Sequence, residues 1–207
     1  MIAVVDYGLG NLRSVSKALE AIGAGVEVTN NPEKVARAKA IVLPGVGAFS
    51  RGMENLKKQG TLPSILRSIE AGKPFLGICL GLQLLFTESQ EHGICNGLDV
   101  IKGRVSKFTN VAKIPHMGWN QVRMNKPKAN YGKPDLFSGI PNGSYFYFVH
   151  SYYVEPDDKS VVIGKTEYGL EFPSVVNRDN VWGVQFHPEK SSAVGLKFLE
   201  NFYRYVS

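Results

Sequence analysis

Positions 77–81 read Gly-Ile-Cys-Leu-Gly, a thiol with a glycine two residues to either side. The segment lies between one apolar run, "PFLGI", that reads as a buried strand and a second, "LGLQLL", that reads as a helix. A sharp strand-to-helix turn of this form lifts a nucleophile clear of a sheet, and G-x-C-x-G is the cysteine version of that elbow. The glycines answer a steric need, since side chains at 77 and 81 would crowd the turn and the neighbouring backbone. At a helix start the positive end of the peptide dipoles favours thiolate over thiol. The competing reading of Cys79 is a small, inert core residue.

A thiolate nucleophile needs a base, and the base needs an orienting group. Among four histidines, His187 has the most suggestive setting, "GVQFHPEK", at the end of a strand-like run stopped by Pro188. In an extended segment residues i and i+2 point the same way, which sets Glu189 beside His187. The carboxylate can then hold one ring nitrogen while the other meets the thiol, the logic of a triad for acyl transfer. A histidine and glutamate at a solvated loop edge are the alternative, and sequence spacing alone does not bring His187 to Cys79.

Acyl transfer also needs donors for an oxyanion. The backbone N–H of Leu80, directly after the nucleophile, offers one. The second is expected from Val46 or Gly47 in "LPGVGAF", a glycine turn ending another strand on the edge where α/β proteins bind ligands. Two further motifs carry less. "YGLGN" (7–11) has glycines after the first strand but neither the third glycine of a dinucleotide fingerprint nor the Lys-Ser/Thr of a P-loop. Cys95, in the loop-like "HGICNG", has no nearby base and reads as an inert or surface thiol.

The elements that must position these groups alternate through the first half. "IAVVDY" (2–7), "VEV" (26–28), "AIVLPG" (40–45) and "FLGI" read as strands, with Val15, Ala18, Leu19 and Ile22 at helical spacing and a helix over 63–71 closed by Gly72. "LGLQLLFTES" reads as a continuous helix after Cys79. This alternation predicts an α/β fold: a mostly parallel central sheet flanked by helices. From about residue 98 short strands dominate: "VIKGRVSKF", "YFYFVHSYYV", "VVIGKTEYG", "PSVVNRD" and "VWGVQFH", read as antiparallel additions. A final helix follows from Ser191 or Ser192, with Val194, Phe198, Phe202 and Val206 every fourth position and Leu199 and Tyr203 beside them. With no repeat or linker, 1–207 reads as a single domain.

The bulk numbers exclude several classes. At 43% hydrophobic and 20% charged the 207 residues are ordinary globular composition, long enough for a real core. No apolar run approaches a membrane span, and the first residues lack a signal-peptide pattern. Two cysteines make no disulfide framework and no Cys/His set has zinc spacing, so a reducing cytoplasm without metal or cofactor is the expectation. The net charge of +6 comes from scattered residues without a Lys/Arg block. It reads as a solvated surface or a docking face for an acidic protein, with neither nucleic acid nor membrane as partner.

Taken together, "PGVG", "GICLGLQLLF" and "VQFHPE" resemble the class I glutamine amidotransferase family in its order of motifs, over nearly the whole chain. The resemblance implies a flavodoxin-like sheet and a Cys79–His187–Glu189 triad. It also implies L-glutamine hydrolysis through a γ-glutamyl thioester, with Gln83, Glu91, Ser151 and Tyr152 as substrate-binding residues. Within the family, "PHMGWN" (115–120), "YFVHSYY" (147–153), "HPEKSS" (187–192) and "YGLGN" are similar to the glutaminase subunits of imidazole glycerol phosphate synthase, in histidine biosynthesis. That similarity implies a heterodimer with a (β/α)8-barrel cyclase subunit that receives the ammonia, with Asn11, Met117, Trp119, Tyr147 and Lys190 in the segments facing it. It further implies slow glutamine turnover until the cyclase is occupied, with rearrangement of the 44–47 loop as the switch. The alternatives are an amidotransferase subunit for aminodeoxychorismate or pyridoxal phosphate synthesis, and a catalytically silent binding module.

Overall fold

The apolar runs of the first half alternate between the two faces of a sheet buried on both sides. In the computed structural model, which describes residues 1–91, 93–109, 111, 113–125 and 135–206, Ile2, Val4, Val42, Leu76 and Ile78 enter one core and Val5, Ile41, Leu43 and Phe75 the other. This period of two, with both faces apolar, is what a helix-covered parallel sheet requires. The elements of this half run β1 (Ile2–Val5), α1 (Leu12–Ala21), β2 (Val26–Thr29), α2 (Pro32–Arg37) and β3 (Ala40–Gly45). They continue with α3 (Phe49–Lys58), α4 (Leu62–Glu70), β4 (Phe75–Cys79) and α5 (Leu80–Leu84).

The second half contributes β5 (Phe86–Ser89), β6 (Cys95–Asn96), β7 (Ile101–Lys107), β8 (His116–Gln121), β9 (Arg123–Met124), β10 (Tyr145–His150) and β11 (Tyr152–Pro156). It ends with β12 (Val162–Glu167), β13 (Glu171–Arg178), β14 (Val181–Val184) and α6 (Ser192–Val206). The central sheet has the order β2-β1-β3-β4-β14-β13-β12-β9, parallel from β2 to β14 and antiparallel beyond. A second sheet has the order β11-β7-β5-β6, and β10 and β8 pair as an antiparallel ribbon. Helix α1 brings Val15, Ala18 and Leu19 to the first core, and α6 brings Phe198, Leu199 and Phe202 to the same side. Burying each phenylalanine there contributes about 2–3 kcal/mol.

The fold departs from the sequence reading in four places. The helix after Cys79 stops at Leu84, because the Leu84 carbonyl accepts from Leu98 N–H and the Leu85 carbonyl from Val100 and Ile101 N–H. Residues 86–89 therefore extend as a strand against β7. "YFYFVHSYYV" breaks at Ser151, its halves belonging to the ribbon and the second sheet. "VWGVQFH" is no antiparallel addition, since β14 lies parallel beside β4. Cys95 sits half-buried in the short strand β6 rather than in a loop.

Candidate active site

The carboxyl ends of β1, β3, β4 and β14 meet along one edge of the sheet, where ligands of open α/β folds bind. Register sets their levels: Gly45 pairs with Cys79 and Val184 with Ile78. Cys79 closes β4 with φ 54° and ψ −105°, a left-handed backbone that a non-glycine residue adopts only under constraint. Both flanking glycines are sterically obligatory. A β-carbon on Gly81 would lie 1.8 Å from the Leu43 carbonyl oxygen, and one on Gly77 2.6 Å from that of Gly81. The elbow is thus held by backbone contacts to β3.

From β14 the chain runs through Gln185 and Phe186 to His187, whose N–H donates to the Tyr147 carbonyl. His187 Nδ1 lies 2.8 Å from Glu189 Oε1, with both side chains almost completely buried. The pair is made by a 3-10 turn over Pro188–Lys190 rather than by the extended backbone that the spacing predicts. Among the described residues neither His187 Nε2 nor Glu189 Oε2 has a hydrogen-bond partner. Nε2 faces the thiol without meeting hydrogen-bond geometry. Burial favours a neutral His187, but the charge of the Cys79 sulfur and then Glu189 outweigh it and push the pKa up to about 10. The arrangement favours an imidazolium at His187.

The thiol opens on a cavity of about 340 Å³ lined by Val46, Gly47, Leu80, Gln83, Glu91 and residues 149–152, so every residue expected to hold substrate or oxyanion borders it. Gly47 has φ 107°, a conformation suited to glycine in the loop that follows β3. Glu91 Oε2 accepts from the Phe49 N–H at 2.7 Å, tying the cavity wall to the start of α3. Gln83 Nε2 donates to the Tyr152 carbonyl and to Gln185 Oε1. Beside the cavity, Met117 (61% exposed) and Trp119 (51% exposed) project from β8. Trp119 meets Tyr147 edge to face at 6.1 Å, and Lys190 Nζ stands 5.9 Å from the Tyr147 ring centroid. These four therefore form one surface beside the site. Asn11 follows β1 at this edge and caps α1, accepting from Ser14 N–H.

The family model described as glutamine amidotransferase class-I matches residues 3–206. The chain belongs to that family. Among relatives, the imidazole glycerol phosphate synthase subunit HisH of Moorella thermoacetica is 54% identical over 201 residues, 97% of this chain and 93% of that one. The HisH of Methanocaldococcus jannaschii is 53% identical over 202 residues, covering 98% of each. A solved glutamine amidotransferase superposes with TM-score 0.74 over 98% of this chain and 99% of that chain at 19% identity, which speaks to the fold.

Sequence reasoning passed over three buried residues of this amidotransferase's site. Gln185 donates from Nε2 to Cys79 Sγ at 3.6 Å. His150 borders the cavity and pairs with His116 behind the ribbon. Tyr7 places its hydroxyl in the space a Gly45 side chain would fill, 1.8 Å from the position of its β-carbon, with no hydrogen-bond partner among the described residues. Burial, and secondarily Cys79, push the Tyr7 phenol far above its ordinary range. Only Gln185 had a readable signal, as the residue two before His187 on the same side of a strand. Among the described residues no group of three His, Cys, Asp or Glu is placed to hold a metal ion, and no helix is long and apolar enough to cross a membrane.

Proposed function

We propose that this chain is the ammonia-producing subunit of an imidazole glycerol phosphate synthase, one catalytic domain over residues 1–207 acting in the cytoplasm. L-Glutamine enters the cavity against Gln83, Glu91, Ser151 and Tyr152. The Cys79 thiolate attacks the side-chain amide carbon, and the carbonyl oxygen becomes an oxyanion held by the N–H of Leu80 and of Val46 or Gly47. His187, oriented by Glu189, gives its proton to the departing nitrogen. Ammonia leaves and a γ-glutamyl thioester remains. Water then gives a proton to His187 as it attacks the thioester carbon, and the carbon–sulfur bond breaks to release glutamate and thiolate.

Ammonia must travel unprotonated to remain a nucleophile, which calls for a partner seated over the site. That partner is a (β/α)8-barrel cyclase subunit forming a heterodimer against the surface of Met117, Trp119, Tyr147 and Lys190, with Asn11 at the same sheet edge. Loop 44–47 completes the oxyanion hole when the cyclase is occupied, so the isolated chain turns glutamine over slowly. The observation that carries this reading is a thiol opening on a cavity with a buried imidazole–carboxylate pair close enough to act on it electrostatically, in a chain more than half identical to HisH subunits. The test is Cys79→Ala reconstituted with a cyclase subunit. Glutamine-dependent imidazole glycerol phosphate formation is abolished while synthesis from added ammonium persists. Continued use of glutamine by the variant would overturn the nucleophile assignment.

A further inference from the structure

The polar groups behind the thiol form a chain of donors whose direction is set by one backbone carbonyl. The oxygen of Tyr152 can only accept, and two side chains reach it: Gln83 Nε2 at 3.1 Å and His150 Nδ1 at 2.8 Å. The Gln83 amide must therefore turn its nitrogen toward Tyr152, and the same nitrogen donates its other hydrogen to Gln185 Oε1 at 3.2 Å. With its oxygen occupied, Gln185 has only N–H to present to its remaining neighbour, Cys79 Sγ at 3.6 Å. The ambiguity of amide orientation is thus removed by the carbonyl at the far end of the chain.

Backbone register delivers Gln185 to the sulfur. Val184 pairs with Ile78, so the next residue stands level with Cys79. Just past the end of β14, Gln185 and His187 both come to the Cys79 sulfur, and the Gln185 side chain is fully buried.

We propose that Gln185 is a further catalytic residue of this site, donating an amide N–H to the Cys79 sulfur and so favouring the reactive thiolate. The inference rests on the reading of Cys79 as the nucleophile. While protonated, the thiol has its own acceptor in the Val149 carbonyl, 3.8 Å from Sγ. Transfer of that proton to His187 Nε2 replaces a weak S–H···O contact with N–H donated to an anion, the stronger kind of hydrogen bond. An uncharged amide does this without competing with His187 as a base. Because Gln83 both borders the cavity and holds Gln185, a ligand touching Gln83 reaches the sulfur through one intervening amide.

The test uses the full chain carrying Cys95→Ser, so that one thiol reports. Iodoacetamide alkylation of Cys79 is followed against pH with Gln185 intact and in Gln185→Met, which keeps the side chain's length and removes the donor. The pH of half-maximal alkylation rises by about one unit in the variant, the tenfold that one hydrogen bond to a charged acceptor is worth. Gln185→Glu, which sets a carboxylate beside the sulfur, moves it further up, and in both variants kcat for glutamine falls with KM unchanged. An unmoved profile in Gln185→Met, or faster alkylation in Gln185→Glu, would overturn the proposal. A second measurement needs no variant at position 185. The side-chain amide resonance of Gln185 shifts with pH through the alkylation range in the native chain and stays fixed in Cys79→Ala; a resonance that does not move in the native chain refutes the contact. Neither the alkylation profile nor the amide resonance uses glutamine, so a failure of the glutaminase reading appears separately, as native chain plus cyclase that does not consume glutamine.

Discussion

Acid between about pH 6.5 and 5.0 removes stability from this chain through two buried imidazoles held neutral behind the ribbon. His150 donates from Nδ1 to the Tyr152 carbonyl, which leaves its Nε2 as an acceptor for His116 Nδ1–H at 2.9 Å. Asn120 Nδ2, 3.1 Å from His116 Nε2, donates to the remaining ring nitrogen. A proton added to either ring would set two N–H groups against each other. Burial is the largest cause in both cases, lowering His150 to about 3 and His116 to about 4. In the unfolded chain a histidine takes its proton near ~6.5, so below that pH the unfolded state binds more protons and stability falls. Over the 1.5 units to about pH 5.0 each imidazole removes about 1.6 kcal/mol, and the pair about 3 kcal/mol, as an upper figure.

His187 does not offset this loss. Its folded pKa is raised to about 10, so its contribution is fully present below the unfolded value and disappears only as pH rises toward 10. Unfolded carboxylates protonate nearer ~4, which keeps the window clear of most of them. The assay is urea denaturation by far-ultraviolet circular dichroism at steps between these two pH values, for the native chain and for His150→Asn. The unfolding free energy of the native chain falls steeply across the window, and the slope of the variant is about half as large. Constant stability in the native chain, or an undiminished slope in His150→Asn, would refute the assignment of two neutral, coupled rings.

Removing the carboxylate in Glu189→Gln lowers the pKa of His187 below about 10, read from its imidazole resonances, and reduces glutamine turnover by roughly 10²-fold or more; an unchanged titration would dissociate the two residues. Tyr7→Phe deletes a buried hydroxyl that makes no hydrogen bond among the described residues, so thermal stability holds or rises by about 1 kcal/mol. Gly45→Ala destabilises the chain because its β-carbon would sit 1.8 Å from that hydroxyl, and combining it with Tyr7→Phe restores part of the loss. Strictly additive effects in that double-mutant cycle would show that the hydroxyl is not the obstacle. Trp119→Ala weakens cyclase association by about 2 kcal/mol or more in titration calorimetry while leaving the melting temperature of the isolated chain in place.

What could be read before folding was local, and the limits of that reading have identifiable causes. The elbow was legible because two glycines, a cysteine and the apolar runs around them specify a turn within a few residues. The end of its helix was not, since "LGLQLL" contains good helix formers and the carbonyls that would continue it are captured by N–H groups of residues 98–101. Helix α2 carries its own start signal in Asn31, which accepts from the N–H of Glu33 and Lys34, and that signal was overlooked. Helix α3 has no side-chain cap at Ala48; the Glu91 carboxylate takes the N–H of Phe49 from forty-two positions along the chain, and nothing local could announce it.

The same distinction orders the site itself. His187 and Glu189 are partners through a turn of three residues, so their closeness was suggested by spacing, although a 3-10 turn and not an extended backbone makes it. Their meeting with Cys79 depends on β14 docking parallel to β4. "VWGV" is only four residues long, and although all four are buried where β7 and β12 alternate, so short an apolar run does not name its partner strand. Gln185 stands between these cases. Its side of the strand follows from being two residues before His187, while its target follows only from the pairing of Val184 with Ile78. A shift of that register by one residue would turn Gln185 and His187 to the other face together and take donor and base from the sulfur at once. The pairing of β14 with β4 is therefore the feature on which the whole proposed chemistry turns, and it explains why the elbow, complete in sequence, acquires a base and an amide donor only in the folded sheet.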